Sequence, residues 1–266
     1  MGTSQKPSFS FARGVIFVIA LAIFLYAGVQ LFLIGKDYID SRQSYNHVKD
    51  AVNVTQQKET PPEERTIDFK KLQSINWEAV GWIYVPAVGI DYPLMYTTNN
   101  DKYLRTTIEG TQQIAGSIFI DYRNHGDLTD QSTYIYGHHM KDKSMFSKLL
   151  NFQDKAVFDK NSFVYIYRPE ATYEYKIFSV HGANARSSDY TLDFFNPGDF
   201  DRYVQTMVQK SAYPTGVSVA ANDKIITLST CTTTDLENDD RYVVQAKLVR
   251  VLPIHSTEKA GHSNES

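Results

Sequence analysis

Ile225-Ile226-Thr227-Leu228-Ser229-Thr230-Cys231, followed by Arg241-Tyr242-Val243-Val244, carries the first reading of both fold and chemistry. The β-branched, apolar run predicts a strand, and the second run predicts the strand that pairs with it. Cys231 is the only cysteine and stands at the end of the first run. A strand holds its side chains rigidly and the loop after it exposes the last one, so a thiol here is both positioned and reachable. A lone cysteine beside a strand is also an ordinary small buried hydrophobe, so the other residues have to decide.

Length and composition set the frame. The 266 residues hold one sizeable domain with additions, and 42% hydrophobic content is ample for a packed core. A formal net charge of −3, with no long basic run, argues against a nucleic-acid partner. One cysteine makes neither an internal disulfide nor a thiolate-rich zinc site, so the core must stand on packing alone.

Residues 14–34 form an uncharged apolar stretch with Gln30 as its one strongly polar interruption. At about 1.5 Å of rise per residue it spans a hydrocarbon core of about 30 Å, longer than the apolar part of a cleaved signal peptide. Lys6 and Arg13 lie before it and Lys36, Arg42 and Lys49 after it, so the count of positive residues does not settle orientation. The expected organisation is a head at 1–13, an anchor at 14–34, a stalk and linker at 35–66, a catalytic domain at 67–252 and a polar tail at 253–266. Residues 38–57 read as an exposed helical stalk. Residues 59–65, with Pro61-Pro62 and four charges, read as a solvated linker.

Within the domain, Phe69, Leu72 and Ile75 recur at helical spacing, after which the period becomes two. Strands are expected at 82–85, 89–94, 117–120, 132–136, 163–167, 172–180, 224–230 and 241–251. Many short strands with turns between them predict a closed barrel. A short helix is expected at 144–150. A longer one is expected at 197–212, with Pro197 in its first turn and Phe200, Tyr203, Val204, Met207 and Val208 as an apolar stripe packed on the barrel.

A thiol is mostly protonated at neutral pH, so its use as a nucleophile needs a base, and histidine is the usual choice. The candidates inside the domain are His125, His138, His139 and His181. His138 and His139 follow Tyr134-Ile135-Tyr136-Gly137 at the end of a predicted strand, with Gly137 expected to turn the backbone sharply. Adjacent residues on an extended chain face opposite ways, so one ring of the two would meet a given thiol. Arg241 supplies a guanidinium where acyl transfer develops a negative oxygen.

These residues together carry a resemblance. Thr227-Leu228-Ser229-Thr230-Cys231 with Arg241, preceded by Tyr134-Ile135-Tyr136-Gly137-His138-His139-Met140, resembles the sortases, cell-wall transpeptidases of Gram-positive bacteria, and most closely class B. Val80-Gly81-Trp82-Ile83-Tyr84-Val85-Pro86, Ile90-Asp91-Tyr92-Pro93-Leu94 and residues 116–124 are also similar to class B sequence. The resemblance implies an eight-stranded sortase barrel with an N-terminal helix and a helix between the late strands. It implies Cys231 as nucleophile, His138 as general acid and base, and Arg241 as the oxyanion and substrate-positioning group. Ser229, Tyr136 and Asn100 match positions near the family's substrate cleft.

The implied activity is that of a cysteine transpeptidase that cleaves a C-terminal sorting signal after threonine and passes the acyl group to an amine, a reaction for which no metal and no cofactor are expected. The implied partners are exported proteins bearing that signal, and a peptidoglycan precursor or pilin that supplies the amine. The implied location is the cell membrane, with a cytoplasmic N-terminus and the barrel outside. The acidic residues Asp235, Glu237, Asp239 and Asp240 lack a calcium-loop pattern and read as a solvated loop. Competing readings are a non-catalytic anchored barrel for binding or assembly, or another cysteine peptidase. Papain-like and caspase-like signatures are absent around Cys231, and Thr232-Thr233 occupy the region where an L,D-transpeptidase expects arginine.

Overall fold

The computed structural model describes residues 8–57, 59–196, 198–231 and 239–254, with the backbone alone for 8–12 and Cys231. The N-terminal part of the expected head, Pro197, most of the loop after Cys231 and most of the expected polar tail therefore lie outside the described residues.

A single helix, α1, runs Ser8–Ala51. Its apolar part is exposed, with none of the most apolar window buried against protein. Its last turns behave differently: Tyr45 and Val48, with Val52 and Val54 just beyond, are sealed in the main core, and the Tyr45 hydroxyl donates to the Gly116 carbonyl. This corrects the reading of 38–57 as an exposed stalk. Two apolar side chains three residues apart, on an otherwise polar segment, suffice to dock one face of a helix. The chain leaves the helix through Asn53 in the left-handed region, φ 62°, which asparagine tolerates better than most residues.

The segment expected as a solvated linker is also held down. Pro62–Glu64 forms a short 3-10 turn, which proline at its first position permits. The Tyr167 hydroxyl donates to the Pro62 carbonyl at 2.7 Å. Arg65 is buried; its Nη2 lies 3.1 and 3.2 Å from the two oxygens of Asp91, and its guanidinium sits 4.0 Å over the Tyr84 ring centroid. The aromatic face offsets part of the desolvation that made burial of this charge unexpected.

The helix α2 (Phe69–Ile75) follows, its start fixed by Asp68, which accepts from the Lys71 N–H at 2.8 Å. The strands are β1 (Ala79–Val85), β2 (Ile90–Met95), β3 (Ile118–Ile120), β4 (Ser132–Tyr136), β5 (Phe163–Tyr167), β6 (Ala171–Asn184), β7 (Ile225–Cys231) and β8 (Asp240–Pro253). They close in the order β1-β2-β3-β4-β7-β8-β6-β5. The eight strands and the closure agree with the sequence reading. β2 with β3 and β4 with β7 are the parallel pairs, and the other neighbours are antiparallel.

Short helices α3 (Lys102–Arg105) and α4 (Lys155–Lys160) occupy connections. The helix expected at 144–150 is a 3-10 segment at Phe146–Gln153 instead. Asp142 ties up the Ser144 N–H and hydroxyl, and Met145 at φ 53° cannot belong to a right-handed helix. The late helix, α5 (Asp199–Lys210), buries Phe200, Tyr203, Val204 and Met207 against Phe178 and Ile225 on the outside of the barrel. Val208, expected in the same stripe, is exposed.

Replacing Arg65 by methionine leaves Asp91 with Trp82 Nε1 (2.6 Å) as its remaining side-chain donor among these contacts. Unfolding by urea is expected to show a loss of about 2–3 kcal/mol. A loss below about 0.5 kcal/mol would mean that the buried charge contributes nothing net.

Candidate functional site

The parallel pairing of β4 with β7 runs Ser132 to Ile225 through Tyr136 to Ser229, residue for residue. The Gly137 N–H continues it by donating to the Ser229 carbonyl at 3.2 Å. Two residues beyond Tyr136 is His138, and two beyond Ser229 is Cys231. On the other side, the antiparallel register of β7 with β8 sets Cys231 opposite Arg241. With neighbouring strands about 4.8 Å apart, the backbones of His138, Cys231 and Arg241 share one end of the barrel on three adjacent chains.

At that end lies an open cleft of about 750 Å³, lined by Asn100, Tyr136, His138, Ser229 and Arg241 among others. Asn100, Tyr136, His138, Ser229 and Arg241, the residues the resemblance assigns to the site, all line this cleft, and of Cys231 the backbone alone is described. Thr230, the residue before the cysteine, lines it as well. Of the other histidines, His125 is exposed and bound to Asp130 at 2.6 Å, and His181 is buried beneath the sheet at 3% exposure. His139 is not among the lining residues, and its backbone bridges Met145.

His138 is held at both ends. A Cβ on Gly137 would come within 2.7 Å of the Phe146 ring, so glycine is required there for close approach rather than for the sharp turn expected. The Phe146 N–H donates to the His138 carbonyl at 3.1 Å, closing the loop. The ring Nε2 donates to the Leu104 carbonyl at 2.5 Å, at the end of α3. A carbonyl only accepts, so Nε2 carries the proton and Nδ1 is the position that can take one. Burial pushes the imidazole below its usual range, the Leu104 bond opposes this, and the Arg105 charge adds to the fall.

The walls are cross-braced. The Tyr136 hydroxyl donates to Asp121 at 2.9 Å, and Arg123 grips the same carboxylate through Nε at 2.9 Å and Nη2 at 2.7 Å. Burial alone would raise the Asp121 carboxyl, but the bonds from Arg123 and Tyr136 outweigh it and hold the group below the usual carboxylate range. Asn100 accepts from the Tyr122 N–H at 3.0 Å. The Ser229 and Tyr190 hydroxyls are 2.6 Å apart. Among the described lining residues, Arg105, Arg123, Arg186 and Arg241 stand against the carboxylate of Asp101, with Arg123 paired to Asp121 behind the wall. Arg186 meets Asp239 at 2.9 Å, and Asp240 follows at the start of β8. Asp235 and Glu237 lie outside the described residues.

Tyr190, Arg105, Arg123 and Leu104 were not read from the sequence as site residues. Tyr190 has no motif, and its partner Ser229 is 39 residues away. Leu104 acts through its carbonyl, which no residue type announces. Arg123 did carry a signal, since Asp121 stands two residues before it in one of the segments already quoted.

The wall bearing Tyr190 rests on buried polar groups. The Tyr134 hydroxyl lies 2.9 Å from both the Asp189 and the Thr191 carbonyl, and Lys210 donates to the Asp189 carboxylate. His181 Nδ1 is 3.0 Å from the Ser179 hydroxyl, which itself donates to the Met207 carbonyl at 2.6 Å. The ring is therefore the Nδ1–H tautomer, with Nε2 unpartnered and 3.8 Å from Asp189. Burial depresses this imidazole to about 4, with Asp189 opposing and Lys210 assisting.

A sortase-domain family model matches residues 83–249. The chain is 34% identical over 244 residues to sortase B of Listeria monocytogenes serovar 1/2a, covering 90% of this chain and 98% of that one. It is 28% identical to sortase B of Staphylococcus aureus, covering 89% and 95%. Among solved structures, sortase B from Bacillus anthracis in complex with AAEK1 superposes with a TM-score of 0.70 at 34% identity, over 82% of this chain and all of that one. The Staphylococcus aureus sortase B–substrate complex superposes with a TM-score of 0.71 at 26% identity, over 81% and 99%.

His181 yields a pH prediction. Its folded pKa lies below its unfolded value of about 6.5, so the stability it contributes is present above that pH and is lost as pH falls toward 4. The loss is on the order of 3 kcal/mol over this window. Denaturation midpoints measured from pH 7 to 4 should show that slope, and His181→Gln should flatten it.

Proposed function

The chain belongs to the sortase family, class B, and from that premise we propose that it cleaves a C-terminal sorting signal after threonine and transfers the new acyl group to an amine. The observation that supports this reading is the register that sets Cys231 opposite Arg241 and two residues past the Tyr136–Ser229 pair, at the end of the barrel where His138 and Arg241 line one cleft.

In the proposed reaction a proton passes from the Cys231 thiol to Nδ1 of His138, and the thiolate attacks the threonine carbonyl. A carbon–sulfur bond forms, and the carbonyl oxygen takes the negative charge, which Arg241 stabilises. Collapse breaks the carbon–nitrogen bond as the imidazolium gives its proton to the leaving amine. The thioester is then attacked by the acceptor amine, which loses its proton to His138, and the thiolate departs. Burial and the Arg105 charge disfavour the imidazolium, and the bond to the Leu104 carbonyl opposes them. Tyr136, Ser229 and Asn100 lie along the same cleft and are assigned to the peptide.

The long apolar helix is assigned as a single-pass anchor, with the N-terminus inside and the barrel outside. Tethering would confine enzyme, exported substrate and a membrane-bound acceptor to one surface and raise their effective concentration. The acceptor amine is that of a cell-wall precursor or a pilin.

Incubation of the protein with a sorting-signal peptide, followed by intact-mass spectrometry, is expected to show an acyl adduct on Cys231 and none in Cys231→Ala. His138→Gln should reduce turnover by at least about 100-fold and His139→Gln by little; the reverse order would assign the base to the other ring. Arg105→Gln removes a charge that disfavours the imidazolium, so the limb of the pH–rate profile belonging to His138 should move to higher pH. A shift to lower pH would contradict that electrostatic role.

A further inference from the structure

A second cavity, about 240 Å³ in volume, lies between the last turns of α1 and the loop that follows His138. Arg42 and Lys49 line it from the helix, Lys143 and Lys148 from the loop side, and Asp142 is the single acid among its described lining residues. That concentration of cations stands out in a chain whose formal net charge is −3. The acid is already engaged, accepting from the Ser144 N–H at 3.0 Å and its hydroxyl at 2.6 Å.

Two of the four cations are held in place. Lys148 Nζ donates to the Gly89 carbonyl at 2.6 Å, and Lys49 Nζ stands 4.6 Å from the Tyr92 ring centroid. Burial pushes Lys148 below the ordinary lysine range, Asp91 and Asp142 oppose this, and Arg42 adds to the fall, so the two cations repel one another across the cavity. Ser41 belongs to the same lining at 5% exposure, and its hydroxyl is buried without a hydrogen-bond partner. Mutually repelling cations and an unsatisfied hydroxyl are the deficits that a bound oxyanion relieves.

We infer that this cavity is a binding site for a phosphate-type oxyanion, with a diphosphate the best match to its several cations. It is separate from the peptide cleft, and it adjoins the loop closed by the bond from the Phe146 N–H to the His138 carbonyl. Arg42 lies eight residues beyond Ile34, or about 12 Å along the helix. If residues 14–34 span a bilayer, this sets the cavity just above a headgroup layer about 5–8 Å deep. A lipid-borne diphosphate and a free one present the same chemistry. The lipid source rests on the proposed membrane anchoring, whereas the anion site does not.

The test uses the full chain in uncharged detergent micelles, titrated with inorganic pyrophosphate by calorimetry. Saturable binding is expected, weakened about tenfold or more in the double variant Arg42→Gln/Lys143→Gln. Ser41→Ala should weaken binding about threefold while leaving thermal stability equal or higher, a combination that a purely structural hydroxyl does not give. No binding by the parent chain, or equal binding by the double variant, would overturn the site. Geranylgeranyl diphosphate in the same micelles separates the sources: tenfold tighter binding than pyrophosphate assigns a lipid-borne ligand, and equal binding a free anion, either of which supports the site. Peptide cleavage is measured in parallel without added anion and should be unchanged in the double variant. Anion binding without any cleavage would retire the transpeptidase reading and leave this one standing.

Discussion

The hydrogen-bonded ladder between β4 and β7 is the constraint on which the functional end of the molecule depends. These strands are parallel, so their C-terminal ends face the same way, and the chain between them must cross over through β5, β6 and α5. A one-residue slip in that ladder would turn every side chain of β7 to the opposite face, exchanging the buried Ile226 and Leu228 for Thr227 and Ser229. Burial of the apolar pair in the main core therefore fixes the height of residue 231 relative to residue 138. Hydrophobic packing in the barrel and the alignment of chemically active groups at its rim are the same physical fact.

The long crossover solves a second problem. It must bring polar chain over the outside of the barrel and still form a firm wall for the cleft. Tyr134, Tyr203 and Gln245 do this as a connected set: the two phenols are 3.0 Å apart, and Gln245 Nε2 donates to Tyr203 at 2.8 Å and to Thr227 at 3.1 Å. Stacking of Tyr190 on Tyr134, with ring centroids 5.6 Å apart, carries that order to the cleft surface. Apart from the buried Gln245 Oε1, which has no hydrogen-bond partner, the members of this network are partnered, and that pairing is what lets so many hydroxyls lie buried under one short stretch of loop.

Much of the fold was legible because the barrel strands alternate and are punctuated by Gly, Pro and Asn, and because α5 has a clear apolar stripe. Two of the failures share a cause. Residues 38–57 and 59–65 look solvated by composition, yet Tyr45, Val48 and Arg65 are buried through contacts with residues distant in sequence, Gly116 and Asp91 among them. Local composition does not record such partners. The 144–150 segment failed for a different reason: Met145 lies at φ 53°, outside the right-handed region, so the backbone there follows the loop rather than the propensity of its side chains. At the candidate site, side-chain chemistry pointed to a thiol, a ring and a guanidinium, while the Leu104 carbonyl that selects the ring's tautomer left no trace in the sequence.

The unbroken helix α1 has a mechanical meaning. Its apolar portion and the turns carrying Tyr45 and Val48 are one rod without a proline or an internal break. A rod seated in a lipid layer tilts when its apolar length and the layer's thickness disagree. On the proposed anchoring, with no hinge before the docked turns, that tilt would pass to the barrel and swing the mouth of the cleft toward or away from the surface. The thickness of the surrounding lipid would thus set the angle at which an extended chain must arrive to be cut.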